Sequence, residues 1–232
     1  MSFFISENML KIQNLKKTYS NSENEKFDII NIPSFELNDN EQLALSGESG
    51  SGKSTFLNLI SGIVSADSGE IFFNNTDITK LSGSAMDKFR SKNIGYVFQT
   101  FNLLQGFTAL ENVMLGMMFC GNPDEKRSVA ALDKAGLSKR INNKPSELSV
   151  GEQQRVAVAR AIVNSPAMLL ADEPTANLDG KNTGLVIKLI KELCTEEKIS
   201  LILVSHEPDV TDKFNYKKSF SEINFNLTYL QS

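Results

Sequence analysis

Short apolar stretches broken by polar turns open the chain, and their spacing predicts strands at Leu10 to Leu15, Ile29 to Leu37, Gln42 to Ser46 and Glu70 to Phe73. The run Ser65-Ala66-Asp67-Ser68-Gly69 reads as a turn that punctuates them. Thr55 to Val64 repeats its apolar residues at helical spacing instead, with Phe56, Ile60 and Ile63 on one face. Residues 108 to 164 read as several helices, with Pro123 and Pro145 as breaks. Ile94 to Phe98, Met168 to Ala171 and Leu201 to Val204 are further short, apolar strands. A strand-rich, then helical, then strand-rich order predicts an α/β core sheet interrupted by an inserted helical subdomain at about residues 100 to 164. With no internal repeat, low-complexity tract or Pro/Gly/Ser linker, residues 1 to 232 are expected to form one intertwined unit.

Composition narrows the classes. A length of 232 residues, 41% hydrophobic and 22% charged, suits a folded chain with a sizeable core and excludes collagen-like, mucin-like and disordered ones. Lys plus Arg number 24 against 28 for Asp plus Glu, a net charge of -4, whereas a dedicated nucleic-acid binder carries a basic excess. Nucleic acid is therefore not expected as a partner. The longest nearly unbroken apolar run, Val113 to Cys120, has eight residues, while a membrane span needs about 20. The opening MSFFISENML has neither a basic n-region nor a long apolar core, so no secretory leader and a cytoplasmic location are expected. Cys120 and Cys194 lack the spacing of a zinc site or a disulfide framework and are read as ordinary thiols.

The sharpest chemical signal is Gly47-Glu48-Ser49-Gly50-Ser51-Gly52-Lys53-Ser54, which fits G-x-x-x-x-G-K-[ST]; a chance match in a chain this long is about one in a hundred. It follows the strand at Gln42 to Ser46 and opens the helical segment that begins with Thr55, which is the strand-loop-helix setting the motif requires. Glycines let the loop N–H groups curl inward, and the helix N-terminus favours phosphate charge. Lys53 would reach the β and γ phosphates and the Ser54 hydroxyl would ligate Mg²⁺, so the chemistry specifies a nucleoside triphosphate.

Met168-Leu169-Leu170-Ala171-Asp172-Glu173-Pro174 supplies a buried strand ending in two carboxylates, with Pro174 as its stop. Asp172 is placed for the Mg²⁺ shell and Glu173 to orient or deprotonate a water; the plainer reading is two solvated acids after a core strand. Gln99 follows Ile94 to Phe98, and His206, the one His in the chain, follows Leu201 to Ser205. Four polar markers thus sit past four apolar strands, and ligands in open α/β sheets bind outside the carboxyl ends of the strands. Gly47, Gln99, Asp172 and His206 are expected to converge on one nucleotide, with His206 at the γ-phosphate.

Leu148-Ser149-Val150-Gly151-Glu152-Gln153-Gln154-Arg155, set before the carboxylate pair, resembles the signature of ATP-binding cassette (ABC) ATPases, and Ala176-Asn177-Leu178-Asp179 resembles their D-loop. With the phosphate loop, Gln99, Asp172-Glu173 and His206, the resemblance covers residues 9 to about 210. It implies a P-loop core sheet, an antiparallel β subdomain near the N-terminus and the helical insertion. It also implies head-to-tail pairing of two cassettes, in which Ser149, Gly151 and Glu152 of one copy, with Asp179, close over the ATP held by Lys53 of the other. A Ser and a Gly at a helix start near Glu152 would by themselves read only as an N-cap. Tyr19 would stack on adenine by the same resemblance, although an ordinary strand-end tyrosine fits the position too. Two departures stand out: Val150 where the family usually has Gly, and Glu152 where Gln is common.

Tyr96-Val97-Phe98-Gln99 with Phe101-Asn102-Leu103-Leu104, Thr108-Ala109-Leu110-Glu111-Asn112-Val113, and the run from Ala171 to Asp179 are similar to the ATPases of lipoprotein-releasing and macrolide-export transporters, and to the related cell-division ATPase. The expected function is an Mg-ATP hydrolysing subunit that dimerises on ATP and drives a separate integral membrane permease from the inner face of the membrane. Mg²⁺ would be held by Ser54, Gln99 and Asp172, and water polarised by Glu173 with His206 and Gln99 assisting. The alternative is an envelope or division ATPase acting through a membrane partner without cargo. Phe101, Leu103, Leu104, Phe107, Met114, Leu115, Met117, Met118 and Phe119 are more apolar than a small helical subdomain easily buries, and some of them are expected to line a partner groove.

Overall fold

The computed structural model describes residues 8–20, 25–121 and 123–225. The chain runs β1 (Asn8–Ser20), β2 (Lys26–Asn38), β3 (Gln42–Ser46), α1 (Lys53–Ile60), β4 (Ser68–Phe73), β5 (Thr76–Asp77), α2 (Gly83–Asn93) and β6 (Ile94–Val97). It continues as α3 (Ala109–Leu115), α4 (Glu125–Lys134), α5 (Val150–Ile162), β7 (Met168–Asp172), α6 (Gly180–Glu196), β8 (Ser200–Ser205), α7 (Pro208–Thr211) and β9 (Tyr216–Ser219). Two sheets result: an antiparallel one in the order β2-β1-β4-β5 and a parallel one in the order β6-β7-β8-β3-β9.

β1 and β2 are longer than the apolar alternation predicts, because their ends continue as a polar, exposed ribbon in the register Tyr19↔Phe27. Ile12 and Leu15 are both fully buried although three positions apart. A bulge makes this possible: Asn14 adopts φ 50, and the pairing of β1 with β4 shifts between Gln13 and Lys16. Gly69 lies against that bulge at φ 94, where a Cβ would meet the Asn14 carbonyl oxygen at 2.4 Å, so no larger residue fits.

The expected helix from Thr55 to Val64 is corrected. α1 ends at Ile60, Gly62 turns the chain at φ 64, and the Ile63 and Val64 N–H groups both donate to the Asn58 carbonyl. That closure carries Ile63 off the buried face into solvent. α5 begins at Val150, two residues before Glu152, near which its start was expected, and Ser149 caps it as the N-cap reading has it.

The central strands β3, β7 and β8 are almost entirely buried. One face of the parallel sheet packs with α1 and the antiparallel sheet around Phe35, Phe56 and Phe73. The other packs against α6 through Val186, Ile187 and Ile190. A third cluster, built by α3, α4 and α5 around Val113, Leu132 and Val156, is the inserted helical part. Cys194 lies in the second cluster, where burial raises its thiol pKa to about 12, and half-buried Cys120 donates to the Ser91 carbonyl.

Candidate functional site

β6, β7, β8 and β3 are adjacent and parallel, so the residues after their carboxyl ends meet at one edge of the sheet. A cavity of about 390 Å³ lies there, and it gathers Tyr19, Ser49, Gly50, Gly52, Lys53, Ser54, Thr55, Gln99 and Glu173 of the sequence-predicted residues. Ile29, which sequence reasoning left as a strand residue, forms part of the wall beside Tyr19. The Tyr19 ring is partly exposed, with the Lys17 ammonium 5.6 Å from its centroid.

The loop between β3 and α1 turns through Gly50 at φ 80 and Gly52 at φ 99. α1 has no side-chain cap and no acidic residue in its first turn, so its leading N–H groups are left for an anion. Ser51 Oγ is buried without a hydrogen-bond partner, a further donor inside the loop. Lys53 is 4% exposed, and its Nζ donates to the carbonyls of Gly47 and Glu48, both at 2.7 Å. Burial lowers the Lys53 pKa, and the negative charges of Glu173 and Asp172 work against that shift. Such a group gains from an added anion.

Ser54 Oγ donates to Asp172 Oδ1 at 3.0 Å. Burial raises the Asp172 pKa, opposed mainly by that hydrogen bond. Two oxygen donors side by side, one a carboxylate short of positive charge, fit a hard cation that takes its remaining ligands from phosphate and water. Among the described residues no group of three or more His, Cys, Asp or Glu side chains could hold a metal without such help. Gln99 lines the same cavity, and its carbonyl accepts from Asn177 Nδ2 at 3.1 Å.

Glu173 follows β7 in a left-handed conformation, φ 43, with its N–H bonded to the Val204 carbonyl of β8. A non-glycine residue held at such a φ is strained, and here the kink turns the side chain toward the loop. Its Oε1 lies 3.9 Å from Lys53 Nζ and its Oε2 2.8 Å from His206 Nδ1. The two acids are therefore not merely solvated: each has an assigned neighbour.

Ser149, Gly151, Glu152 and Asp179 lie outside the cavity of their own chain. Ser149 caps α5, accepting from the Glu152 N–H, while Glu152 Oε2 accepts from the Ser149 N–H at 2.9 Å and from its hydroxyl at 2.9 Å. Those bonds, with Arg140 Nε at 3.0 Å, lower the Glu152 pKa, the Ser149 N–H having the largest effect. Val150 projects into solvent, whereas a Cβ on Gly151 would meet Asn182 Oδ1 at 2.6 Å. Asn182 was not singled out from the sequence. It binds both oxygens of Asp179, the cap of α6, and these bonds, led by the Asn182 N–H, lower the Asp179 pKa.

The apolar run after Gln99 divides. Leu103 and Met117 are core, whereas Leu104, Phe107, Met118 and Phe119 are exposed. A second cavity, of about 530 Å³, is lined by Tyr96, Phe98, Leu115, Phe119 and Arg160. Leu104 and Phe107 do not line it, so the groove expected from the sequence is shifted toward α3. Arg160 donates to the carbonyls of Phe101 and Asn102, at 2.8 and 2.7 Å, and Asn112 accepts from the Leu104 N–H while donating to the carbonyls of Leu104, Phe107 and Thr108. These two polar side chains hold the segment between the two cavities, and nothing in the sequence pattern alone marks them.

Residues 30–176 match the family described as ABC transporter. The lipoprotein-releasing system ATP-binding protein LolD of Treponema denticola is 40% identical, over 94% of this chain and 100% of its own length. LolD of Saccharophagus degradans is 39% identical over 91% of this chain and 93% of its own length. The dimeric bacterial ABC transporter cassette MJ0796 superimposes with a TM-score of 0.83 at 36% identity, covering 91% of this chain and 94% of that one. A post-hydrolysis dimer of the same cassette, bound to ADP and Pi, gives a TM-score of 0.81 with the same coverage.

Proposed function

Since the chain belongs to the ABC transporter family, we propose that it is the ATP-hydrolysing subunit of a lipoprotein-releasing type transporter, working as a dimer against a separate membrane permease. The observation that carries this reading is that Lys53, Ser54 and Glu173 line one cavity, with Asp172 bonded to Ser54 and His206, which lines a neighbouring cavity, bonded to Glu173. The loop N–H groups and Lys53 bind the phosphates of ATP, Ile29 and Tyr19 face the base, and Ser54, Asp172 and Gln99 would hold Mg²⁺. Held there, it would supply positive charge against that developing on the phosphates.

Water attacks the γ-phosphorus, the bond to the bridging oxygen breaks, and Glu173 takes the water proton. The His206 contact, with Nδ1–H donating to Glu173 Oε2, fixes the carboxylate that faces the water. Catalysis then rests on positioning and electrostatics, without a covalent intermediate. Ser149 and Gly151 lie at the start of a 13-residue helix, away from their own chain's cavity, which supports their service to the ATP of a second copy. The described parts act as one nucleotide-binding unit. No described helix is long and apolar enough to cross a membrane, and the protein attaches at the inner face through the groove beside Phe119.

The test is phosphate release from MgATP with nucleotide binding measured alongside. Glu173→Gln is expected to bind ATP and accumulate as a dimer with turnover lost; Lys53→Ala is expected to bind at least about tenfold more weakly. A fully active Glu173→Gln, or normal binding by Lys53→Ala, overturns the assignment.

A further inference from the structure

β2 is an edge strand: it pairs with β1 on one side and, among the described residues, with no strand on the other. At Ile29 and Asn31 that open edge is closed by the segment that follows β9. Asn224, 8% exposed, accepts from the Asn31 N–H through Oδ1 at 2.7 Å and donates from Nδ2 to the Ile29 carbonyl at 3.0 Å. Its side-chain amide thus reads the edge as a neighbouring peptide would. The Phe225 N–H donates to the Asn31 carbonyl at 2.9 Å, and Asn31 Nδ2 returns a bond to the Phe225 carbonyl at 3.0 Å. Four hydrogen bonds fasten one short stretch of β2.

The same segment grips the phosphate side. The Phe220 ring lies 5.5 Å from that of Phe56 on α1, and its Cβ is 3.3 Å from where a side chain on Gly47 would begin. The stretch being fastened is also the one that bears on the loop: Ile29 Cγ2 and the Ile29 carbonyl oxygen both lie 3.1 Å from the Cβ position of Gly52. Ile29 lines the cavity beside Tyr19.

We infer that residues 220–225 form a hook, with Asn224 as a positioning residue, that sets the distance between the wall facing the base and the loop holding the phosphates. The inference rests on the ATP-binding reading above. Asn224 touches no reacting atom; it acts through Ile29. Its loss lets the wall drift from the loop, so a ligand that spans both is weakened, and one that occupies only the loop is not. A side chain that merely stabilised the fold would affect the two ligands alike.

The experiment is calorimetric titration of wild type and Asn224→Ala with ADP, which spans wall and loop, and with inorganic pyrophosphate, which fills the loop alone. The expected result is an ADP Kd about tenfold higher with the pyrophosphate Kd within about twofold of wild type, in a variant that still melts cooperatively. An unchanged ADP Kd, or an equal loss for both ligands, overturns the hook. If Asn224→Ala does not fold, Asn31→Ala decides, since it removes only the bond from Nδ2 to Phe225. A selective ADP loss of about two- to threefold there supports the proposal, and none overturns it. Wild type that binds neither ligand overturns the nucleotide reading instead, so the two failures are distinct.

Discussion

Gly151→Ala tests whether the α5 start and the α6 start are one mechanical unit. The added Cβ would lie 2.6 Å from Asn182 Oδ1 and 2.9 Å from its Cγ, both far inside van der Waals contact. Asn182 cannot simply swing aside, because its Nδ2 is bonded to Asp179 Oδ2 at 2.9 Å. Rotation costs that charge-assisted bond and part of the local packing, about 1–3 kcal/mol. Against this, Ala in place of Gly in a helix returns up to about 1 kcal/mol. The net expectation is a loss of about 1–2 kcal/mol, or a melting point lower by about 2–8 °C for a chain of this size. In an Asn182→Ala background the obstacle is gone and only the helix preference remains, so the same Gly151→Ala change should be neutral or stabilising. Thermal and urea unfolding of the four proteins in that cycle give the coupling directly. Equal effects in both backgrounds would refute the contact argument. Val150→Ala, on the exposed neighbouring side chain, should stay within about 0.5 kcal/mol of wild type.

Glu152 has a folded pKa below its unfolded value, so the stability it contributes is present above 4.5 and is lost as pH falls through the folded value. Unfolding curves from neutral to acid pH should therefore fall more steeply for wild type than for Glu152→Gln; parallel curves would show that the carboxylate adds nothing beyond the amide. Phe119→Ser, changing a side chain that is 81% exposed at the second cavity, should abolish copurification with the membrane partner at unchanged melting and basal ATPase. Retained copurification would move the docking surface elsewhere.

Much of the site was legible because phosphate chemistry demands a contiguous run. Gly47 to Ser54 had to be local, so its spacing announced it, and Asp172-Glu173, at the end of a buried strand, stood out from two solvated acids only beside that loop. The positions of the central strands also followed from apolar runs short enough to be fully buried, whereas their order in the sheet did not. Ile63 was misplaced because periodicity continues through Gly62 while the backbone does not. Asn182 and Asn224 were invisible for another reason. Each works by matching backbone groups or a bare Cα that only the folded chain brings near, 31 residues away for Gly151 and 193 for Asn31. A polar side chain used that way has no period and no neighbouring motif. Arg160 lies on α5, and its guanidinium serves two carbonyls of the loop after Gln99.

The position of β3 has a consequence for how the chain is made. It lies between β8 and β9, paired as Gln42↔Leu201 and Leu43↔Tyr216. During synthesis its two edges therefore stay open until more than 150 further residues have left the ribosome, while β1, β2 and β4 already have one another to pair with. The antiparallel sheet is free to form early, and the phosphate loop must wait for the last strands to arrive. Long-range parallel pairing of that kind folds slowly and leaves apolar strands exposed in the interval. Ribosome-stalled chains released at residue 100 should thus be protected from proteolysis in the first sheet and cleaved at β3, and chaperone demand should peak in the window before residues 200–219 emerge.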